Sequence, residues 1–205
     1  HGVSEKFYPM PQGSPEYSDV DKLRDTLKLN NKKFIILFNN RNIRRKNPGD
    51  VVLAYKEFCD KLTKEQSKEC CLLLHTQRVD NNGTHLPDVI NNVCPDYDVV
   101  FTDMRFDTNG LNLLYNLADI TLNMASNEGF GLATCESIKA GTPIIVNVTG
   151  GLQDQCGFKI NDKFVSGDDY IDLGTLHNKK KLPKDLTWGD WVKPVWPSNR
   201  SLQGS

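Results

Sequence analysis

The stretch NEGFGLATCESIKAGTP, residues 127–143, sets two carboxylates, Glu128 and Glu136, on either side of a glycine-bounded turn, with seven residues between them. Gly129 and Gly131 let a backbone approach a ligand closely, and the apolar run that follows, with Gly141 at its end, reads as a helix beginning just after the turn. The first amides of such a helix have no partner within it, and the macrodipole favours an anion there. The N–H groups of Leu132 and Ala133 are then placed for a phosphate, and Glu136 for hydroxyls such as those of a ribose. Glu128, ahead of the turn, suits hydroxyls at the far end of the same ligand. Nucleoside diphosphate sugars have hydroxyls at both ends and phosphate between. The same residues also suit a plain strand-to-helix connection with an acidic dipole partner, so their surroundings must separate the two readings.

A second feature bears on that choice. NNRNIRRKNPGD, residues 39–50, places Arg41, Arg44, Arg45 and Lys46 directly after an apolar run. A fixed guanidinium and a Lys point charge complement a pyrophosphate that helix amides only partly offset, whereas a solvated basic loop is the plainer reading of a charge run. The remaining candidates are weaker. His75 ends an apolar run as a core or rim residue, His85 and His177 sit in polar loops, and the Asp168-Asp169 pair and the lysines at 179–181 read as surface turns. No spacing assembles a metal site, a nucleophile with its base, or a P-loop, so no cofactor and no metal are expected.

The elements that must position these residues follow from periodicity. Residues 19–29 carry an apolar helical face, and residues 32–38 form a short continuous apolar run of the kind a buried parallel strand shows. Pro48 can open the next helix. The order then repeats, with strands expected at 70–75, 98–101, 119–124 and 143–148, and helices at 85–93, 110–118 and 131–140. Strands alternating with helices predict an α/β, Rossmann-like, doubly wound parallel sheet over residues 18–160, with its ligand crevice at the carboxyl ends of the strands. Residues 1–17 lack periodicity and read as a hinge or linker segment, or as a segment docked elsewhere. Residues 161–205, with Trp188, Trp191 and Trp196, read as an irregular Trp-rich extension or insertion. The chain is expected to be a piece of a larger protein.

Composition narrows the partners. With a net charge of −1 among 205 residues there is no broad electrostatic reason to bind nucleic acid or an anionic membrane. No apolar run approaches the roughly 18 residues of a transmembrane helix. Cys70 and Cys71 are adjacent within an apolar run, no CxxC occurs, and buried free thiols in a reducing, cytoplasmic compartment are the expectation. Three glycosylation sequons read as coincidental, since Asn147 closes an expected buried strand.

Taken as a set, EGFGLATCE, the helix end AGTPIIV and the TGG at 149–151 closely resemble the signature of the family 4 GT-B glycosyltransferases, the glycosyl transferases of group 1. Arg41 and Lys46, five residues apart, match that family's Arg and Lys, and residues 101–132 follow its further segments; HGVSEKFYP resembles the stretch leaving its interdomain hinge. The resemblance implies the donor-binding C-terminal half of a GT-B fold and transfer of a hexose with retention of configuration, without a metal, from a UDP or GDP sugar. It implies that Arg41 and Lys46 bind the diphosphate and serve catalysis together with Glu128. Gly129, Phe130 and Gly131 contact the transferred sugar, Leu132 and Ala133 the diphosphate, Glu136 the ribose, and Met104 and Arg105 border the base. The acceptor-binding N-terminal domain is the implied missing partner. Asn40, Asn47 and Asp103 stand where the family has glycine. The alternative is a nucleotide- or sugar-phosphate-binding module without transfer activity.

Overall fold

A computed structural model describes residues 2–165 and 182–196. The Asp168-Asp169 pair, His177 and the lysines at 179–181 lie outside the described residues. In chain order the elements are α1 (Tyr17–Thr26), β1 (Phe34–Asn39), α2 (Pro48–Cys59), α3 (Lys64–Lys68), β2 (Cys70–His75), α4 (Leu86–Val93), β3 (Val99–Phe101) and α5 (Thr108–Leu117). They continue with β4 (Ile120–Asn123), α6 (Leu132–Lys139), β5 (Ile144–Asn147), α7 (Leu152–Gln155), a small hairpin of β6 (Lys159–Ile160) and β7 (Lys163–Phe164), and β8 (Val192–Val195). Six strands form one sheet in the order β3-β2-β1-β4-β5-β8. Every neighbouring pair in it is parallel. This is the doubly wound, Rossmann-like α/β fold expected from the sequence.

The central strand explains why both faces need cover. Along β1, Ile35 and Leu37 enter one apolar cluster with α1 and α5, while Ile36 and Phe38 enter another with α2 and α4. The period-2 alternation of a strand, apolar on both sides, thus specifies helices on both faces. Pro48 stands at the first position of α2, where its missing donor costs nothing. Asp107 caps α5 by accepting the Gly110 N–H at 2.8 Å, and Gly141, at φ +84°, closes the turn after α6.

The two ends carry structure that periodicity did not show. The amino-terminal segment is docked: Phe7 is buried edge-on against Tyr115, and the Tyr8 and Met10 N–H groups donate to the side-chain oxygens of Asn112 and Asn116 on α5. At the other end the sheet does not stop at residue 160, because β8 pairs along β5 from Ile144↔Val192 to Asn147↔Val195. Pro194 lies within β8, which is tolerated because the strand is at the sheet's edge. Two of the three tryptophans, Trp188 and Trp196, pack on Phe158 beneath β5 and β8. The cysteines are all free, five buried and Cys135 half-buried.

Phe158 is the central side chain of this last cluster. Its replacement by alanine is expected to cost about 3–5 kcal/mol in urea denaturation, and a loss below about 1 kcal/mol would mean that the Trp-rich segment packs elsewhere.

Candidate functional site

Strand order reverses between β1 and β4, and a doubly wound sheet opens a crevice at such a switch point. The two loops that leave these strands at their carboxyl ends, residues 40–47 and 124–131, form the walls. They are bound to each other by polar contacts. The Ser126 N–H donates to the Arg45 carbonyl at 2.8 Å, Asn47 Nδ2 to the Met124 carbonyl at 2.8 Å, and Arg45 Nη1 to the Asn127 carbonyl at 2.9 Å. Arg45 Nη1 also lies 2.9 Å from Glu128 Oε2, and the Lys46 ammonium pairs with that same oxygen.

Within this ion triad the Lys46 and Glu128 side chains are well shielded, at 7 % and 12 % exposure, while Arg45 reaches in from the surface at 40 %. Burial pulls the Lys46 pKa below its ordinary value, and the attraction of Glu128 only partly restores it. Lys46 therefore depends on a negative partner to stay charged, which Glu128 now supplies and a phosphate could share.

Gly131 caps α6 in the left-handed conformation, at φ +82°, where a Cβ would stand 2.7 Å from Leu152 Cδ2 and 2.8 Å from Gln155 Nε2. Gln155 Nε2 donates to the Phe130 and Gly131 carbonyls, and no side chain caps the helix. The carbonyls of the turn are thus held from behind while the Leu132 and Ala133 amides open on the crevice. The Thr-Gly-Gly at 149–151 serves the same turn. A Cβ on Gly150 would lie 2.0 Å from the Glu128 carbonyl oxygen and one on Gly151 2.4 Å from that of Gly129, while the Gly151 N–H donates to the Glu128 carbonyl at 2.8 Å.

One cleft, of about 510 Å³, is lined by Arg41, Arg45, Lys46, Glu128, the 129–133 backbone and Glu136. A second, of about 750 Å³, continues from it past Asn39, Asn40 and Arg41 to His75, Arg78, Thr102, Met104 and Arg105. The residues assigned to the donor site, Arg41, Lys46, Met104, Arg105, Glu128, the 129–133 backbone and Glu136, all line these two clefts, whereas Arg44 and His85 line neither. Arg41 lines both clefts but faces solvent. Its side chain is 62 % exposed and its Nε binds Asp80 at 2.9 Å.

Glu136 is half-buried and its pKa is raised by desolvation, an effect that a hydrogen bond from Tyr115 opposes. Two of the three residues standing in place of family glycines keep the glycine conformation: Asn47 and Asp103 both have φ +50°. Asn and Asp tolerate that region best among non-glycine residues.

Sequence reasoning missed several lining groups. Arg45 was in view as one of four basic residues, but its spacing gave no reason to prefer it. Arg78 and Asp103 form an ion pair, Arg78 lies 4.2 Å over the Phe101 ring, and His75 Nδ1 is 2.8 Å from Thr102 Oγ1. Burial favours the neutral form of His75. These contacts join residues far apart in sequence and leave no local pattern.

The sequence model of the family described as Family 4 Glycosyltransferase in conflict systems matches residues 9–195. The chain belongs to this family. Solved structures with the same fold include the C-terminal domain of a glycosyl transferase group 1 family protein, LpcC, from Francisella tularensis, at 19 % identity and TM-score 0.56, covering 73 % of this chain and 72 % of that one. HepE from Anabaena, solved in complex with UDP-glucose, aligns at 18 % identity and TM-score 0.60 over 88 % of this chain and 47 % of its own. Sucrose-phosphate synthase from Thermosynechococcus elongatus aligns at 22 % identity and TM-score 0.54 over 76 % of this chain and 35 % of its own. The chain thus spans less than half the length of the latter two. No curated protein matches its sequence.

Two outcomes follow from the local geometry. Gly131→Ala combines a strained φ with contacts below 3 Å, and is expected to cost about 1–3 kcal/mol by urea denaturation; unchanged stability would show that the turn adapts freely. For Glu136 the native carboxyl, with its raised pKa, keeps a proton that the unfolded chain has released, so its contribution to stability falls as pH rises from the unfolded value through the native one. Glu136→Gln cannot ionise. It is expected to melt above the wild type at neutral pH and to converge with it below about pH 4; a difference independent of pH would contradict the assignment.

Proposed function

We propose that this chain is the donor-binding half of a two-domain, GT-B glycosyltransferase, and that its crevice holds a nucleoside diphosphate sugar. The observation that carries the reading is a single cleft in which an uncapped helix start, three cationic side chains and two carboxylates converge. The diphosphate would lie against the Leu132 and Ala133 amides with Arg41 and Lys46 beside it. Glu128 and the 129–131 backbone would meet the transferred sugar, Glu136 the ribose hydroxyls, and the second cleft, near Met104 and Arg105, the base. Because HepE was solved with UDP-glucose, a uridine nucleotide is the first ligand to test.

Chemically, the leaving group of such a transfer is a nucleoside diphosphate, on which negative charge grows as the glycosidic bond breaks. Fixed cations and helix amides stabilise that charge without having to reorganise, so no metal is needed in this scheme. Lys46 suits the task because its burial makes it seek an anion. Arg45 then keeps Glu128 neutralised while Lys46 is shared with the phosphate. Transfer of a hexose with retention of configuration, by the chain together with an acceptor-binding domain of the same protein, completes the proposal.

Calorimetric titration with UDP, GDP and ADP tests it. One nucleotide is expected to bind selectively, with Arg41→Ala and Lys46→Ala each weakening it about tenfold or more, as loss of a charge-assisted hydrogen bond implies. Glu128→Ala, which frees Lys46 for phosphate but loosens the tie between the two loops, should lose nucleotide affinity only to a limited extent and abolish transfer by the full-length protein. A folded chain that binds none of the three nucleotides would overturn the reading.

A further inference from the structure

Tyr115 lies at the back of the proposed ribose subsite. It is fully buried on α5, and its ring is held edge-on by Phe7 at 5.8 Å. Its hydroxyl makes two hydrogen bonds of 2.8 Å: it accepts from Asn39 Nδ2 and donates to Glu136 Oε2. An amide nitrogen is a donor only, so the one phenolic proton is directed at Glu136. Glu136 makes no ion pair among the described residues, and no other described side chain donates to its carboxylate. A half-buried carboxylate without a counter-charge would ordinarily turn toward solvent. Here a neutral hydroxyl, fixed from the core, holds one of its oxygens and leaves the other free in the cleft.

We infer that Tyr115 is a positioning residue for ligand recognition, and that the chain Asn39 to Tyr115 to Glu136 orients the carboxylate toward a vicinal diol of the bound nucleotide. The inference rests on the proposed nucleotide site and adds to it a residue that never touches the ligand. Burial is what makes the arrangement effective. Inside the core the phenol has no competing water, and desolvation pushes its pKa well above the ordinary value, so it remains a proton donor at neutral pH. The uncharged donor also leaves Glu136 a strong acceptor, which an Arg or Lys in its place would partly neutralise.

The test is a comparison of ligands as well as variants. The whole chain is titrated with whichever of UDP, GDP and ADP binds most tightly, and with the 2′,3′-dideoxy form of that nucleotide. The wild type is expected to favour the diol. Tyr115→Phe keeps the ring and its packing and should weaken the ribose nucleotide about fivefold, the worth of one oriented hydrogen bond, while leaving the dideoxy form unchanged. In a Glu136→Ala background, which removes the acceptor, the same substitution should change neither.

Asn39→Asp gives a second route that spares the core. A carboxylate at 39 would compete for the phenolic proton; both nucleotides would weaken through charge repulsion, and the preference for the diol should still shrink. Equal losses for the two nucleotides in Tyr115→Phe, or an unchanged preference in both variants, would overturn the positioning role while the nucleotide site stands. Failure of the wild type to bind any of the nucleotides would remove the site and this inference together.

Discussion

The crevice depends on the clamp between two strand-end loops centred on the Glu128 carboxylate. Loops leaving adjacent parallel strands on either side of a switch point diverge by construction, because their helices pack on opposite faces of the sheet. Here Arg45 and Lys46 reach across and share one carboxylate oxygen, and three hydrogen bonds to backbone carbonyls reinforce the closure. Removing ions from water is costly, and a buried pair stabilises a fold only weakly against that cost. The clamp is therefore better understood as a device for holding charge at a fixed place than as a source of stability.

Around that clamp the backbone is shaped by steric exclusions. Gly131 must turn left-handed for α6 to start at the crevice, and Gly150 and Gly151 must lack side chains for their turn to lie flat on the 128–130 backbone. Gln155, at the end of α7, then takes the carbonyls of residues 130 and 131. The loop after β5 therefore braces the loop after β4, which in turn is tied to the loop after β1. Asn42 extends the series by donating to the Gln77 and Thr84 carbonyls and accepting the Thr84 N–H. Four successive strand ends are linked in this way into one continuous wall, and cross-links of this kind lower the entropy that binding must overcome.

Much of this was legible in the sequence. Five strands of the sheet are short apolar runs whose two-sided hydrophobicity announces burial on both faces, and the helices between them keep a 3.6-residue period. The glycine turn and its two glutamates could be placed because glycine, helix starts and carboxylates each have local rules. β8 could not be, since Val-Lys-Pro-Val carries a proline and is separated by some distance from the strand it pairs with. Its place at the edge is set by Phe158 and the tryptophans that pack on it. Nor could Arg45 and Tyr115 be singled out. One is among several cations in a run, the other lies in a stretch that follows the family's segments without any sign of what its hydroxyl meets, and only the meeting of α5, β1 and α6 gives the phenol its partners. Asn47 and Asp103, where the resemblance has glycine, carry the opposite lesson: the left-handed backbone that favours glycine is present although the residue type departs.

The proposed function puts an anionic nucleotide at the start of α6, between the carboxyl ends of β1 and β4. Amide chemical shifts of the isotopically labelled chain, followed by NMR during titration with UDP, test this most directly. The largest changes should fall at Gly129 to Ala133, on the 40–47 loop and near Met104 and Arg105. Changes confined to the amino ends of the strands, or to the Trp-rich segment, would place the ligand elsewhere and contradict the account.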